Sequence, residues 1–200
     1  MDYTYYDVNL YRNQTYLYFI LANCAVPVIA GRKPSCVMTI WKHRIPDINL
    51  KEYMEQKGSV LARGCRFEIL LETSLYVLLF CYREEQLEKE LMKAKESALV
   101  SDYPFAEGID GCICRLEEKM DFTHRRGGEF PHEIGLFLGY PLWDVEGFIR
   151  NHGEQYKFVG YWKVYEDVPG AIVKFQEYDQ LKTMARCLFF QYIEKNHHKK

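Results

Sequence analysis

Helical and extended patterns alternate irregularly along the chain, which predicts an α+β fold: a small, mostly antiparallel sheet with flanking helices, a helix-turn-helix-like corner and a long C-terminal helix. Three observations carry the prediction. CRFEILLE (65–72) and LYVLLFCYR (75–83) are β-rich runs separated only by Thr73-Ser74, the spacing of a hairpin. FPHEIGLFLGYPLWDVEGFIRN (130–151) reads as two short helices joined by a Gly-Tyr-Pro turn. From Ile172 through Phe175, Tyr178, Leu181, Met184, Leu188 and Tyr192, apolar residues recur at helical spacings of three and four.

Thr15 to Val26 is expected as the first helix, ended or kinked by Pro27, which lacks an amide and clashes with the preceding turn. AGRKP (30–34) is a tight connection built on Gly31 and Pro34, and Ser35 to Trp41 is a strand. Asp47 or Asn49 caps a helix reaching about Arg63. The run from Val77 to Tyr82 is continuously apolar, which places that strand centrally, covered on both faces. Glu84 onward is an amphipathic surface helix, and helical spacing resumes through Cys112, Leu116 and Met120. THRRGGEFP (123–131) is the clearest loop; one domain is expected, with any subdomain boundary near 124–130. YKFVGYWKVYED (156–167) alternates as a strand, after which Asp167 caps the last helix with Pro169 in its first turn.

Composition narrows the function classes. The 28 acidic and 26 basic side chains nearly cancel, so no overall field attracts nucleic acid or an anionic membrane. The cationic end, KNHHKK (195–200), reads as a short solvated tail and is assigned no metal. The seven cysteines are scattered and include no Cys-x-x-Cys, which points to reduced thiols in a cytoplasmic protein, and Cys112-x-Cys114 lacks a second pair to complete a metal site. MDYTYYDVNLYRNQ (1–14) has neither the basic nor the apolar region of a leader. No apolar run approaches the roughly 20 residues that span a bilayer.

In the 130–151 stretch, Gly139 fits the turn glycine of a helix-turn-helix, with Gly135, Val145 and Phe148 at packing positions. The second helix, however, presents Leu142, Trp143, Asp144 and Glu146 where base and phosphate readers belong, so nucleic acid is not the expected partner. Trp143 beside Asp144 suits a protein contact instead. His132 and Glu133 open the first helix; Glu133 complements its N-terminus, and a neutral His132 suits proton transfer. Neighbouring helical positions point about 100° apart, and no second histidine follows at i+4, so a zinc-protease helix is not expected. Within GYWKVY (160–165) a strand would place Tyr161, Lys163 and Tyr165 on one face, a cation between aromatic walls. Arg32 and Lys33 offer charge to an anion, but the chain contains no phosphate-loop, dinucleotide or nucleophile-elbow motif. No cofactor is expected.

CAVPVIAGRKPSCVM, FPHEIGLFLGYPLWDVEGFI and GYWKVYED together resemble an uncharacterised bacterial family known only as a domain of unknown function. The resemblance runs from about Tyr16 to Phe190 and rests on Cys24, Gly31 and Lys33, on His132, Glu133, Gly139, Tyr140, Pro141 and Asp144, and on Gly160 to Lys163 with Tyr165. Val26 and Val28 depart from the family's first block. The resemblance implies no activity. The expected site is therefore a pocket for a small, anionic ligand where the three blocks meet. Lys33, Tyr161, Lys163 and Tyr165 would bind, and His132 and Glu133 would handle protons if a reaction occurs. A non-catalytic partner surface on Trp143 and Asp144 is the alternative.

Overall fold

The computed structural model describes residues 11–197. Residues 1–10 of the N-terminal stretch and the end of the cationic tail, 198–200, fall outside these residues. α1 (Asn13–Ile20) continues through a π-helical segment, Leu21–Ala25, into a last turn, α2 (Val26–Ile29). Pro27 offers no amide to the carbonyl four residues earlier, and the wider π turn before it keeps the chain helical to Ile29, so Pro27 sits in the last turn and does not end the helix. The Pro27 carbonyl then accepts the amides of Arg32 (2.8 Å) and Lys33 (3.1 Å), with Gly31 left-handed at φ 69°. That closure sets the start of the following strand.

β1 (Ser35–Trp41) leads to α3 (Leu50–Leu61), whose cap Asn49 accepts the Glu52 amide at 3.3 Å. β2 (Arg66–Glu72) and β3 (Tyr76–Tyr82) form the expected hairpin, with the Thr73 hydroxyl accepting the amides of Leu75 and Tyr76. The sheet order is β1-β3-β2, antiparallel throughout, so the apolar β3 is central. α4 (Glu84–Lys93), α5 (Gly108–Arg126), α6 (Ile134–Phe137) and α7 (Leu142–Arg150) follow, then a minimal hairpin, β4 (Phe158–Val159) with β5 (Lys163–Val164), and finally α8 (Val168–His197).

Both faces of the sheet are covered. Met38, Ile40, Leu79 and Cys81 pack with α1, α3 and the far end of α8, through Phe189 and Phe190. Phe80 and Tyr82 point the other way, into a cluster shared with α4, α5, α6 and α7. Beyond the exposed loop that starts at Gly127, Leu136, Phe137 and Val145 rejoin the cluster that holds Leu116 and Met120 of α5. A third cluster, Trp162, Val164, Phe175 and Tyr178, lies between the β4–β5 hairpin and the first half of α8. All seven cysteines are free thiols. Among the described residues no helix is long and apolar enough to cross a membrane.

Two expectations change. The 156–167 segment is a two-by-two-residue hairpin instead of one strand. The chain reverses at Gly160, whose amide bonds the Trp162 carbonyl (3.1 Å), and the amides after Val164 are taken by a side chain of α7. The first helix of the corner is a single turn. Gly139, left-handed at φ 74°, ends it, and a Cβ there would meet Pro34 Cγ at 2.5 Å. The corner is wedged against the loop that follows α2.

Candidate functional site

Tyr140 is where the three sequence blocks meet. Its hydroxyl donates to the Tyr161 carbonyl (3.1 Å), and Trp162 stacks on its ring at 4.9 Å. Lys33 Nζ lies 5.4 Å from the centre of the same ring.

Asp144 holds the hairpin to α7. It is 3% exposed; Oδ2 accepts Trp162 Nε1–H at 2.8 Å, while Oδ1 accepts the amides of Tyr165 (2.7 Å) and Glu166 (3.1 Å). The enclosed carboxylate is thus fully engaged. Its expected place on a partner-facing surface is corrected: it faces inward, where these three donors bond it. Trp143 alone stays out, 50% exposed, on a groove with Glu90, Lys93 and Lys174.

A cavity of about 350 Å³ opens between α7 and the hairpin, with His132, Gly135, Tyr140, Phe148, Trp162 and Lys163 in its lining. Gly135 has to be small, because a Cβ there would approach Val145 Cγ2 to 2.9 Å. Lys163 Nζ donates to the Gly153 carbonyl at 2.6 Å and lies 4.7 Å from the Tyr156 ring centre and 5.8 Å from that of Phe148. No carboxylate stands within ion-pairing distance of it among the described residues. His132 meets Phe148 edge-on at 4.9 Å, and its nearest carboxylate, Glu129, is 3.8 Å away. Imidazole and ammonium therefore share one aromatic wall.

The remaining expected site residues go elsewhere. Glu133 turns toward α5, accepting from Lys119 Nζ (2.7 Å) and the Tyr103 hydroxyl (3.1 Å). Burial, reinforced by the Glu133 charge, raises the Tyr103 phenol's pKa and keeps it a donor. Glu133 and His132 both border a wider groove of about 650 Å³, but its charges neutralise one another, Lys119 with Asp102 and Glu133, Arg115 with Asp102 and Glu118.

Tyr161, Lys163 and Tyr165 do not share a face, because the strand that would align them is only two residues long. Tyr161 faces α8, donating to Asp179 Oδ1 (2.8 Å), and Tyr165 is buried against Gly147. Lys33 does not line the 350 Å³ cavity. It is 8% exposed, and burial pulls its amine down to about 8, with the Lys182 charge adding to the effect against the thiols of Cys36 and Cys24.

Phe148, Gly153 and Lys182 carry parts of this arrangement that the sequence does not single out. Phe148 reads as packing for a helix corner. Gly153 becomes important only through its carbonyl, and Lys182 is one of several lysines on a long helix. Among the described residues no group of three or more His, Cys, Asp or Glu side chains is placed to hold a metal ion. A family model described as "Protein of unknown function (DUF3793)" matches residues 20–197. No curated protein and no solved structure matches the chain.

Proposed function

We infer function from geometry, because the chain belongs to the DUF3793 family, whose description names no activity, and we propose that the protein binds a small, flat, largely apolar molecule bearing one anionic group. The carrying observation is Lys163: an ammonium at an aromatic cavity whose only hydrogen-bond acceptor among the described residues is a neutral carbonyl. Tyr140, Phe148 and Trp162 supply apolar walls, the usual make-up of a ligand pocket with few, convergent polar groups. Lys163 meets the ligand's charge, and the His132 imidazole on the same wall offers a hydrogen bond or passes a proton. A reaction is not assigned.

Titrating aromatic carboxylates such as benzoate and indole-3-acetate tests this, with Trp162 fluorescence as the readout in a Trp41→Phe, Trp143→Phe background. Quenching is expected, and Lys163→Met should weaken binding at least about tenfold, the loss of roughly 1.4 kcal/mol of charge pairing. Equal affinity in Lys163→Met, or no carboxylate that binds, would sink the reading. A partner surface on Trp143 keeps support from that residue's exposure alone, since Asp144 is withdrawn from it.

A further inference from the structure

Beside the Tyr140 ring, and outside the lining of the 350 Å³ cavity, Lys33 is buried where four elements come together. The π segment after α1 brings Cys24, β1 brings Cys36, the corner brings the Tyr140 ring, and α8 brings Lys182. Among the described residues the Lys33 amine has no hydrogen-bond or ion-pair partner, and Lys182 has no carboxylate within ion-pairing distance. An enclosed ammonium without a counter-charge is unfavourable, and a second cation nearby makes it more so.

Two answers are open to such a group: take up an anion, or shed its proton. Holding an oxyanion needs several donors aimed at one point. The phenols here are already committed, Tyr140 to the Tyr161 carbonyl (3.1 Å) and Tyr178 to the Arg32 carbonyl (3.5 Å). The Tyr140 ring lies beside the amine, and the Cys36 and Cys24 thiols act on its charge. That leaves partial loss of the proton, in the setting that activates lysine nucleophiles: a largely apolar enclosure beside another cation.

We propose that Lys33 is a nucleophilic amine that captures a small aldehyde or ketone as an imine. The nitrogen lone pair attacks the carbonyl carbon, and the carbonyl π electrons move to oxygen. The resulting carbinolamine expels that oxygen with the two amine hydrogens as one water, so no oxidant or reductant is required. Lys182 is a positioning residue whose charge favours the neutral form of Lys33. An amine held at about 8 is roughly a tenth neutral at pH 7, against well under a thousandth for an exposed lysine. This site is separate from the cavity that holds Lys163.

The test treats the intact protein with acetaldehyde and cyanoborohydride at pH 7.5, which reduces any imine to a stable ethyl-lysine, and follows each lysine by peptide mass spectrometry. Lys33 is expected to be ethylated at least about tenfold faster than the exposed Lys51 and Lys89, with the bias of neutral fraction exceeding the hindrance of burial. Lys33→Arg should abolish that label, and Lys182→Gln should slow it at pH 7.5 and move its pH midpoint upward. Lys163→Met, which disables the proposed ligand cavity, should leave it unchanged, so the two readings fail separately. Labelling of Lys33 no faster than Lys89, or a seam that binds inorganic phosphate while Lys33 stays unlabelled, overturns the proposal.

Discussion

The Asp144 carboxylate is enclosed and receives three hydrogen bonds, whereas the Lys33 amine is enclosed and finds only a ring face. Both residues read in sequence as charges for an outside partner. Burial reverses that reading for Asp144, because Trp162 Nε1 and two amides supply donors that only the folded chain assembles. For Lys33 the consequence is a stability that depends on pH. The folded amine sits near 8 and the unfolded one near about 10.4, so below pH 8 both states carry the proton and the fold pays for the enclosed charge. Between the two values only the unfolded chain holds the proton, and stability rises with pH. Lys33→Met should therefore stabilise the protein by up to about 3 kcal/mol at pH 7, with the gap over wild type closing toward pH 11 in urea titrations. A gap independent of pH would mean that the amine is not desolvated.

Elements were legible where a local rule governs them. The strand from Ser35 to Trp41, the β2–β3 hairpin and the Asn49 and Asp167 caps need only neighbours in sequence, and each stands where its residues predict. GYWKVY alternates as a strand should, yet most of it is turn, because the α7 carboxylate captures amides that a ladder would otherwise use. α8 shows the same limit. Its apolar stripe reads as continuous, but Phe175 and Tyr178 are buried under the small hairpin while Met184 and Leu188 are each 65% exposed. Spacing cannot say where along a helix its covering ends. Phe175→Ala should cost about 3 to 5 kcal/mol and Met184→Ala less than about 0.5 kcal/mol in urea unfolding. Similar costs for the two would mean that Met184 is covered in solution.

At the scale of the molecule, β3 ties two clusters together, with Leu79 and Cys81 on one face and Phe80 and Tyr82 on the other. Tyr140 links the second cluster to the third, since it packs against both. Loss of any one cluster exposes a wall of the next, so unfolding is expected as one cooperative transition. Helix content by circular dichroism and Trp162 fluorescence, in the Trp41→Phe, Trp143→Phe background, should change at the same urea concentration. An earlier Trp162 transition would show that the hairpin and the first half of α8 open by themselves.

The amino-acid order alone determined the α+β class, the antiparallel hairpin with its central apolar strand, the caps and the Gly-Tyr-Pro corner, because turn chemistry and periodicity act between residues a few positions apart. Only the tertiary structure decided which charges face a ligand. Lys163 and His132 are brought to one wall by Phe148, Asp144 is consumed by the hairpin, and Lys33 is buried beside Tyr140. Those outcomes depend on contacts across tens of residues, where burial and the supply of hydrogen-bond partners, and not residue type, set what a side chain can do.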